Sequence, residues 1–257
     1  MVLDAKLESN ALDLARECLY RFLATALSDP YVKPWDLIED EAGQVLFKAA
    51  TAILQDEFRE NAVARGFGEL SVDFLDANAV VEEIRKPIEP LRDQYDRVFG
   101  LVQCRECPPY ETEYHASSEA FFRAQALADV AGFYQAFGLQ PGSSPPEPPD
   151  HVSLELEFMS FLLLKKRQLP DSTASDIEKR EKVEICYAAQ RAFFTEHLAW
   201  WLPAFASGLR RKAAGGLYTA LGSFLGAFVP LERARWNVAP PRLSVQPQLI
   251  ERPEEQV

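Results

Sequence analysis

The sequence predicts an all-α protein. Apolar residues recur at helical spacing along most of the chain, no segment alternates β-branched with polar residues, and no Asn-Gly hairpin turn is present. The 257 residues are 47% hydrophobic and 26% charged, which is typical of a globular chain with a sizeable core. No unit repeats at a fixed period, so we predict a helical bundle and not a solenoid.

The first predicted helix lies near the N-terminus. Ser9 or Asn10 can cap its start, and the turn after Leu27 ends it. Its apolar face contains Leu12, Leu19, Phe22, Leu23, Ala26 and Leu27. A second helix is predicted over residues 35–58, with Leu37, Val45, Leu46, Ala49 and Ile53 facing inward.

The next segment contains prolines that limit its helices. Residues 80–99 have helical spacing, but Pro87 and Pro90 lack the backbone N–H that a continuous helix needs, so we predict a break there. An irregular loop is predicted over residues 100–112. Helix resumes over residues 118–137.

A proline-rich connector, residues 141–149, is the clearest internal boundary. Closely spaced prolines hold a chain extended, so we predict a hinge here. It separates an N-terminal helical part, residues 1–140, from a C-terminal helical part, residues 150–236. Residues 237–257 contain four prolines and few apolar residues, so a disordered tail is expected.

Four further helices are predicted after the connector. They cover residues 152–166, 177–198, 200–212 (with a possible kink at Pro203) and 217–231. The stretch 213–231 carries no charge and is long enough to span a bilayer. Its glycines, its modest apolarity and Pro230 favour a buried core helix instead.

Charge and cysteine content restrict the partners and the location. The net charge is -12, which opposes binding to nucleic acid and favours basic peptides. Four cysteines are too few for a secreted disulfide scaffold of this length. The N-terminus shows no basic segment followed by an apolar run, so we expect a cytoplasmic protein.

The usual catalytic motifs are missing. The sequence has no glycine-rich dinucleotide or phosphate loop, no Gly-x-Ser-x-Gly elbow and no His-Glu-x-x-His helix. We therefore predict that the chain is not an enzyme and holds no cofactor. Two alternatives stay open: an enzyme would require a convergent pocket with perturbed acids, and a plain helical scaffold would lack a groove near the hinge.

One cysteine pair raises a metal alternative. Cys104 and Cys107 have the spacing of two zinc ligands, and His115 could join them. Structural zinc sites usually contain a second close pair, which is missing, so no metal is predicted. A redox dithiol normally opens a helix, whereas Pro108 and Pro109 extend the chain here. A zinc- or iron-binding helical regulator remains the alternative function.

Two further segments combine polar and aromatic residues. Asp150 is predicted to cap the helix that follows the connector, while His151 and Glu155 lie one turn apart and can hydrogen-bond. The segment around His197 is rich in large aromatic residues, including Trp201. Core packing is the ordinary role of such residues, and a partner-binding patch is the alternative.

Taken in order, these motifs resemble the TorD/DmsD/NarJ family of redox-enzyme maturation chaperones. The similar segments are Tyr95-Asp-Arg-Val-Phe-Gly followed by Pro108-Pro-Tyr-Glu-Thr-Glu-Tyr, Pro149-Asp-His with Glu155 and Met159, and His197-Leu-x2-Trp-x-Pro. The resemblance covers roughly residues 10–235. The cysteine pair departs from the better-known members and resembles a branch associated with periplasmic molybdenum enzymes.

The resemblance implies a function and a set of binding residues. The chain would bind the twin-arginine leader and the body of a molybdoenzyme precursor, assist cofactor insertion and delay export. The implied peptide-binding residues are Tyr95, Phe99, Pro108, Pro109, Tyr110, Glu111, Asp150, His151 and Glu155. An acidic helical protein suits such a peptide, because leaders carry basic residues before an apolar stretch. Monomer and homodimer both remain open.

Overall fold

A computed structural model describes residues 2–59, 63–100, 106–115, 119–140, 147–169, 175–241 and 247. Within these residues the chain forms ten α-helices and no β-strand, which confirms the predicted all-α class. The helices are α1 Val2–Ala26, α2 Asp36–Glu39, α3 Glu41–Phe58, α4 Ala77–Arg85, α5 Leu91–Phe99, α6 Ala120–Ala136, α7 Val152–Gln168, α8 Asp176–Phe193, α9 Leu202–Ala213 and α10 Leu217–Trp236. A π-helical turn, Phe194–Leu198, directly follows α8.

The helices share a hydrophobic core. α1 packs against α3 and against α7, while α10 packs against α9 and α4. Helices that precede the predicted hinge therefore pack on helices that follow it. Residues 141–146 of the connector lie outside the described residues, so the hinge and the division into two parts remain predictions.

The predicted helix over residues 35–58 is two helices, α2 and α3. Asp40 separates them in an extended conformation, and its side chain caps α3 by accepting a hydrogen bond from the N–H of Gly43. The predicted inward face was wrong, since Val45, Leu46 and Ile53 are exposed. The buried face includes polar and small residues, and consists of Gly43, Gln44, Phe47, Ala50, Thr51 and Leu54.

Prolines set several helix boundaries. α4 ends before Pro87 and α5 begins after Pro90, which confirms the predicted break. Pro203 lies in the first turn of α9, where its missing N–H costs no helical hydrogen bond, so it starts a helix and makes no kink. α1 continues through Ser9 and Asn10, so neither residue is the predicted cap.

The charge-free stretch 213–231 forms most of α10, and it is buried in the core as predicted. Glycine allows α9 to pack closely on it: a Cβ on Gly222 would lie 2.8 Å from the carbonyl oxygen of Ala206. Among the described residues, no helix is long and apolar enough to cross a membrane.

The chain continues past α10 along the body of the protein. The carbonyl oxygen of Val238 accepts a hydrogen bond from Arg233 at 3.0 Å, and that of Pro241 accepts one from the N–H of Phe67 at 3.4 Å. The start of the predicted tail is therefore attached. Residues 242–246 and 248–257 lie outside the described residues.

Candidate functional site

Three of the singled-out sequence segments meet in one place, which we call the motif junction. It consists of residues 108–115, 149–155 and 197–201. The first segment is a loop that contains a short 3-10 turn, Glu111–Tyr114. The second is the start of α7, and the third is the end of the π-helical turn with the residues that follow it.

Backbone hydrogen bonds join the first two segments. The N–H of Glu111 donates to the carbonyl oxygen of Asp150 at 3.0 Å, and the N–H of Val152 donates to that of Pro109 at 2.8 Å. Between these two bonds, an isolated antiparallel bridge connects His151 to the loop. The prolines hold the loop extended, so its carbonyl and N–H groups are available for this pairing.

Asp150 fastens the loop and does not cap its own helix, so the predicted cap was wrong. Its Oδ2 accepts hydrogen bonds from the N–H and the hydroxyl of Thr112, at 3.0 and 2.7 Å. The carboxylate is only 1% exposed. The side chain of Asp150 thus connects the 3-10 turn to the start of α7. The two donors of Thr112 are buried and need an acceptor, which this carboxylate provides.

His151 is the residue that caps α7. Its Nδ1 accepts a hydrogen bond from the N–H of Ser153 at 3.2 Å and lies 2.7 Å from the hydroxyl of Ser153. Burial lowers the pKa of His151 to about 4, so the ring is neutral at pH 7. Because Nδ1 accepts, the proton of the neutral ring is on Nε2.

The π-helical turn brings a histidine and a tryptophan to Glu111. The wide turn is closed by a bond from the N–H of Ala199 to the carbonyl oxygen of Phe194 at 2.8 Å. Nδ1 of His197 then lies 3.1 Å from Oε2 of Glu111, and Nε1 of Trp200 donates to Oε1 at 3.1 Å. A carboxylate only accepts hydrogen bonds, so Nδ1 of His197 carries a proton.

Glu155 is the most deeply buried acid of the junction, with no exposed surface. Burial raises the pKa of Glu155 well above its usual range, and the charges of Glu111 and Asp150 raise it further. These effects favour the protonated form of Glu155. Its Oε2 accepts a hydrogen bond from Nε1 of Trp201 at 3.3 Å, so it pairs with Trp201 and not with the predicted partner His151.

A groove of about 640 Å³, which we call the connector groove, opens beside the motif junction and is lined in part by His151. Its floor is apolar and contains Leu139, Leu154, Phe158, Phe161 and Leu164. Its rim carries the acids Asp29, Glu147 and Glu157 and the bases Arg21 and Lys33. Lys33 is paired with Glu157 at 2.8 Å, so the remaining charge of the rim is mostly negative.

The two predicted aromatic binding residues of α5 differ in position. Phe99 is 7% exposed and its ring packs edge-on against Tyr218 in the core. Tyr95 is half-buried, and burial raises its pKa, with the carboxylates of Asp29 and Glu147 contributing. Tyr95 is thus within range of the charges of these two rim residues, although neither Tyr95 nor Phe99 is among the lining residues of the groove.

The model of the nitrate reductase delta subunit family matches residues 60–207 of this sequence. The chain belongs to that family. The chaperone protein TorD of Photobacterium profundum is 25% identical over 201 residues, covering 72% of this chain and 89% of that protein. The predicted family is thereby confirmed.

Two shorter matches involve other members with chaperone names. The selenate reductase assembly chaperone protein of Thauera selenatis is 32% identical over 117 residues, and the chlorate reductase assembly chaperone protein of Ideonella dechloratans is 31% identical over 114 residues. The chain spans 56% and 54% of these two proteins. Because the family consists of chaperones, the prediction that the chain is not an enzyme is confirmed.

The cysteine pair of this delta subunit family member is only partly described. Cys107 is buried under α9, where a Cβ on Gly208 would lie 2.7 Å from its own Cβ. The ring of His115 packs on that of Trp200 with centroids 4.6 Å apart. Cys104 lies outside the described residues, within which no group of three potential ligands could hold a metal ion. The metal alternative stays a prediction.

The sequence analysis did not predict the hydrogen-bonding role of the aromatic segment in this family member. Trp201 is fully buried, as expected of a core residue, but its indole N–H serves Glu155. The available signal was that a buried indole N–H needs an acceptor, and buried acids need donors. Nothing in the sequence indicated that Asp29 and Tyr134 line a common groove, because they lie on elements that are far apart in the chain.

Proposed function

We propose that this chain is a cytoplasmic assembly chaperone for a molybdenum-containing reductase. It binds the twin-arginine leader and the body of the catalytic subunit precursor, assists insertion of the molybdenum cofactor and delays export until the subunit is mature. The reductase assembly names of several relatives support the class of client. The chain itself performs no covalent chemistry in this role.

The connector groove is the observation that carries the proposal. A twin-arginine leader has two basic residues followed by an apolar stretch. The apolar floor around Leu154 and Phe161 suits the apolar stretch as a helix in a groove. The rim acids Asp29 and Glu147, which are not paired with Lys33 as Glu157 is, suit the basic residues.

The part of the rim that contains Asp29 and Glu147 suits a bound cation. Burial raises the pKa of Glu147, and the charge of Asp29 raises it further, while a hydrogen bond with Tyr110 lowers it. A guanidinium group bound between these carboxylates would relieve their repulsion. Binding of the leader should therefore favour the ionised form of Glu147.

In this proposal the motif junction holds residues of the connector groove in position. His151 both caps α7 and lines the groove, and Tyr110 of the adjoining loop contacts Glu147. The predicted binding residues Pro108, Pro109 and Glu111 act in this proposal by holding the loop, since all three are buried. Asp150 and Glu155 act in the same way.

Calorimetric titration with synthetic twin-arginine leader peptides of molybdenum-containing reductases tests the proposal. Leu154→Ala shortens a part-buried side chain of the floor and should cost about 2 kcal/mol or more of binding free energy. Glu157→Arg should mainly slow association at low salt. Glu181→Arg makes the same charge change at an exposed position of α8 outside the groove, and should leave binding unchanged.

Circular dichroism and thermal melting establish that each variant remains folded. Truncating Phe99 or His151 tests binding less directly, because one is in the core and the other caps a helix. If the parent binds none of the leaders, the proposal fails. If a folded Leu154→Ala protein binds them as tightly as the parent, the connector groove is not the leader site.

A further inference from the structure

A second groove lies on the other side of α6, and we call it the α6 groove. Its volume is about 670 Å³, and it runs between α6 and the π-helical turn. It has no lining residue in common with the connector groove. Nothing in the proposed leader binding uses it.

Small residues form one wall of the α6 groove. Ala128, Gly132 and Ala136 lie one helical turn apart on α6, and all three are exposed. A Cβ placed on Gly132 would meet no atom within 4 Å. A wall of small residues at this spacing lets the ridge of another helix approach closely.

Carboxylates and a histidine line the rest of the groove. Glu196 of the π-helical turn and Asp129 of α6 are exposed carboxylates, and that of Glu111 is buried. His197 is 6% exposed, and its Nε2 is buried without a hydrogen-bond partner among the described residues. Nδ1 of the same ring lies 3.1 Å from Oε2 of Glu111, so Nε2 is the ring nitrogen left for a ligand.

We propose that the α6 groove binds a helical segment of the client protein outside its leader, one that presents a lysine or arginine to these carboxylates. The small-residue wall selects a closely packed helix, and the carboxylates select a protonated nitrogen donor. The unpartnered Nε2 of His197 offers a further hydrogen-bonding position beside them. The identity of the client rests on the proposed function, whereas the position and the chemistry of the site do not.

The probe is the catalytic subunit of a molybdenum-containing reductase whose leader the parent chain binds, prepared without that leader. Gly132→Leu fills the α6 groove at a position with free space and improves helix propensity, so the protein should fold. It should weaken binding of the leaderless subunit by about tenfold or more, as expected for a blocked interface centre. Ala124→Leu, at an exposed position of the same helix outside the groove, should have no effect.

Charge reversal provides an independent readout. Glu196→Arg should weaken binding of the leaderless subunit and reduce its salt dependence, and Glu181→Arg should not. The leader peptide should bind every one of these variants as it binds the parent. That result separates the α6 groove from the connector groove.

Three outcomes would overturn the inference. The parent could fail to bind the leaderless subunit, a folded Gly132→Leu protein could bind it as tightly as the parent, or Gly132→Leu could weaken the leader peptide equally. If no leader binds, the proposed function fails, and overlapping peptides of a leaderless reductase subunit then serve as the probe. Binding of Lys- or Arg-containing peptides that Gly132→Leu abolishes would still support the site, and its absence would refute it.

Discussion

The contact between α1 and α10 and the motif junction both bury ionisable side chains, but they balance charge differently. At the first, Arg16 donates two hydrogen bonds to Glu232, at 2.7 and 2.6 Å, and Tyr20 donates a third at 2.8 Å. The guanidinium also lies over the ring of Trp236. Every buried charge there has an opposite charge in direct contact.

The motif junction buries Glu111, Asp150 and Glu155 without such compensation. Within the part of the chain that the structure describes, none of the three carboxyl groups forms an ion pair with lysine or arginine. Their donors are hydroxyl, indole, imidazole and backbone groups. Burial, together with the charges of Glu111 and Asp150, favours the protonated form of Glu155.

We interpret the first region as a structural network and propose that the second supports the grooves beside it. A fully paired guanidinium and carboxylate fix two helices in one arrangement, which suits α1 and α10. Burying carboxylates without opposite charges in contact costs folding free energy. The junction does adjoin both grooves, through His151 on one side and His197 on the other.

The largest expected effect comes from breaking the paired network. Glu232→Gln leaves the buried Arg16 without its counter-charge, and we expect a loss of about 3–5 kcal/mol in unfolding free energy, as for other broken buried pairs. Urea denaturation at pH 7 measures it. The double variant Arg16→Met with Glu232→Leu should recover a large part, and a loss below about 1 kcal/mol in the single variant would contradict the assignment.

The next effect concerns His151 and pH. Its folded-state pKa of about 4 is below the ordinary 6.5, so the unfolded chain takes up a proton between these values and the folded chain does not. Stability from this group is present above pH 6.5 and is lost as pH falls to 4, by about 3 kcal/mol. His151→Asn can still cap the helix and should lack this loss.

Urea denaturation of both proteins at pH 7 and pH 4 tests the prediction. The difference between the two pH values should be larger for the parent by the stated amount. Equal pH dependence in the parent and in His151→Asn would show that the histidine is not held neutral.

A smaller effect is expected where the chain leaves α10. A protein that ends at Pro241 keeps the carbonyl oxygens that serve Arg233 and Phe67, whereas one that ends at Asn237 loses both. We expect the shorter protein to be less stable by about 1–2 kcal/mol, since Arg233 is buried and loses one acceptor. Thermal melting of the two truncated proteins makes the comparison, and identical melting temperatures would exclude a role for residues 238–241.

The smallest loss of stability is expected at Glu155 of the motif junction, in contrast to the large loss expected at Glu232. Burial favours the protonated form of Glu155, and Glu155→Gln replaces that form with a neutral amide of similar shape. The unfolding free energy at pH 7 should therefore stay within about 1 kcal/mol of the parent or exceed it. Because the folded-state pKa of Glu155 is raised, its contribution is full below the ordinary value and is lost as pH rises. The variant should therefore gain relative to the parent between pH 5 and pH 8, by urea denaturation. A cost as large as that of Glu232→Gln would mean that the two regions are alike.

Local signals predicted most helices, because their causes lie within a few residues. The break between α4 and α5 follows from prolines that cannot donate, and the burial of α10 follows from its uncharged, glycine-containing sequence. The buried face of α3 was predicted wrongly because it contains polar residues. Gln44 and Thr51 are buried there, where their side chains donate hydrogen bonds to backbone carbonyl groups, while the apolar Val45 and Leu46 are exposed to solvent.

The sequence by itself determined the helical class, the proline boundaries and the residue types of the motif junction. Only the tertiary structure decided their partners: that Asp150 binds Thr112, that His151 caps α7, and that Glu155 accepts a hydrogen bond from Trp201. Helix formation depends on spacings of three or four residues, which a sequence displays directly. Hydrogen bonds and pKa shifts depend on burial and on groups that lie tens of residues away, which only packing brings together.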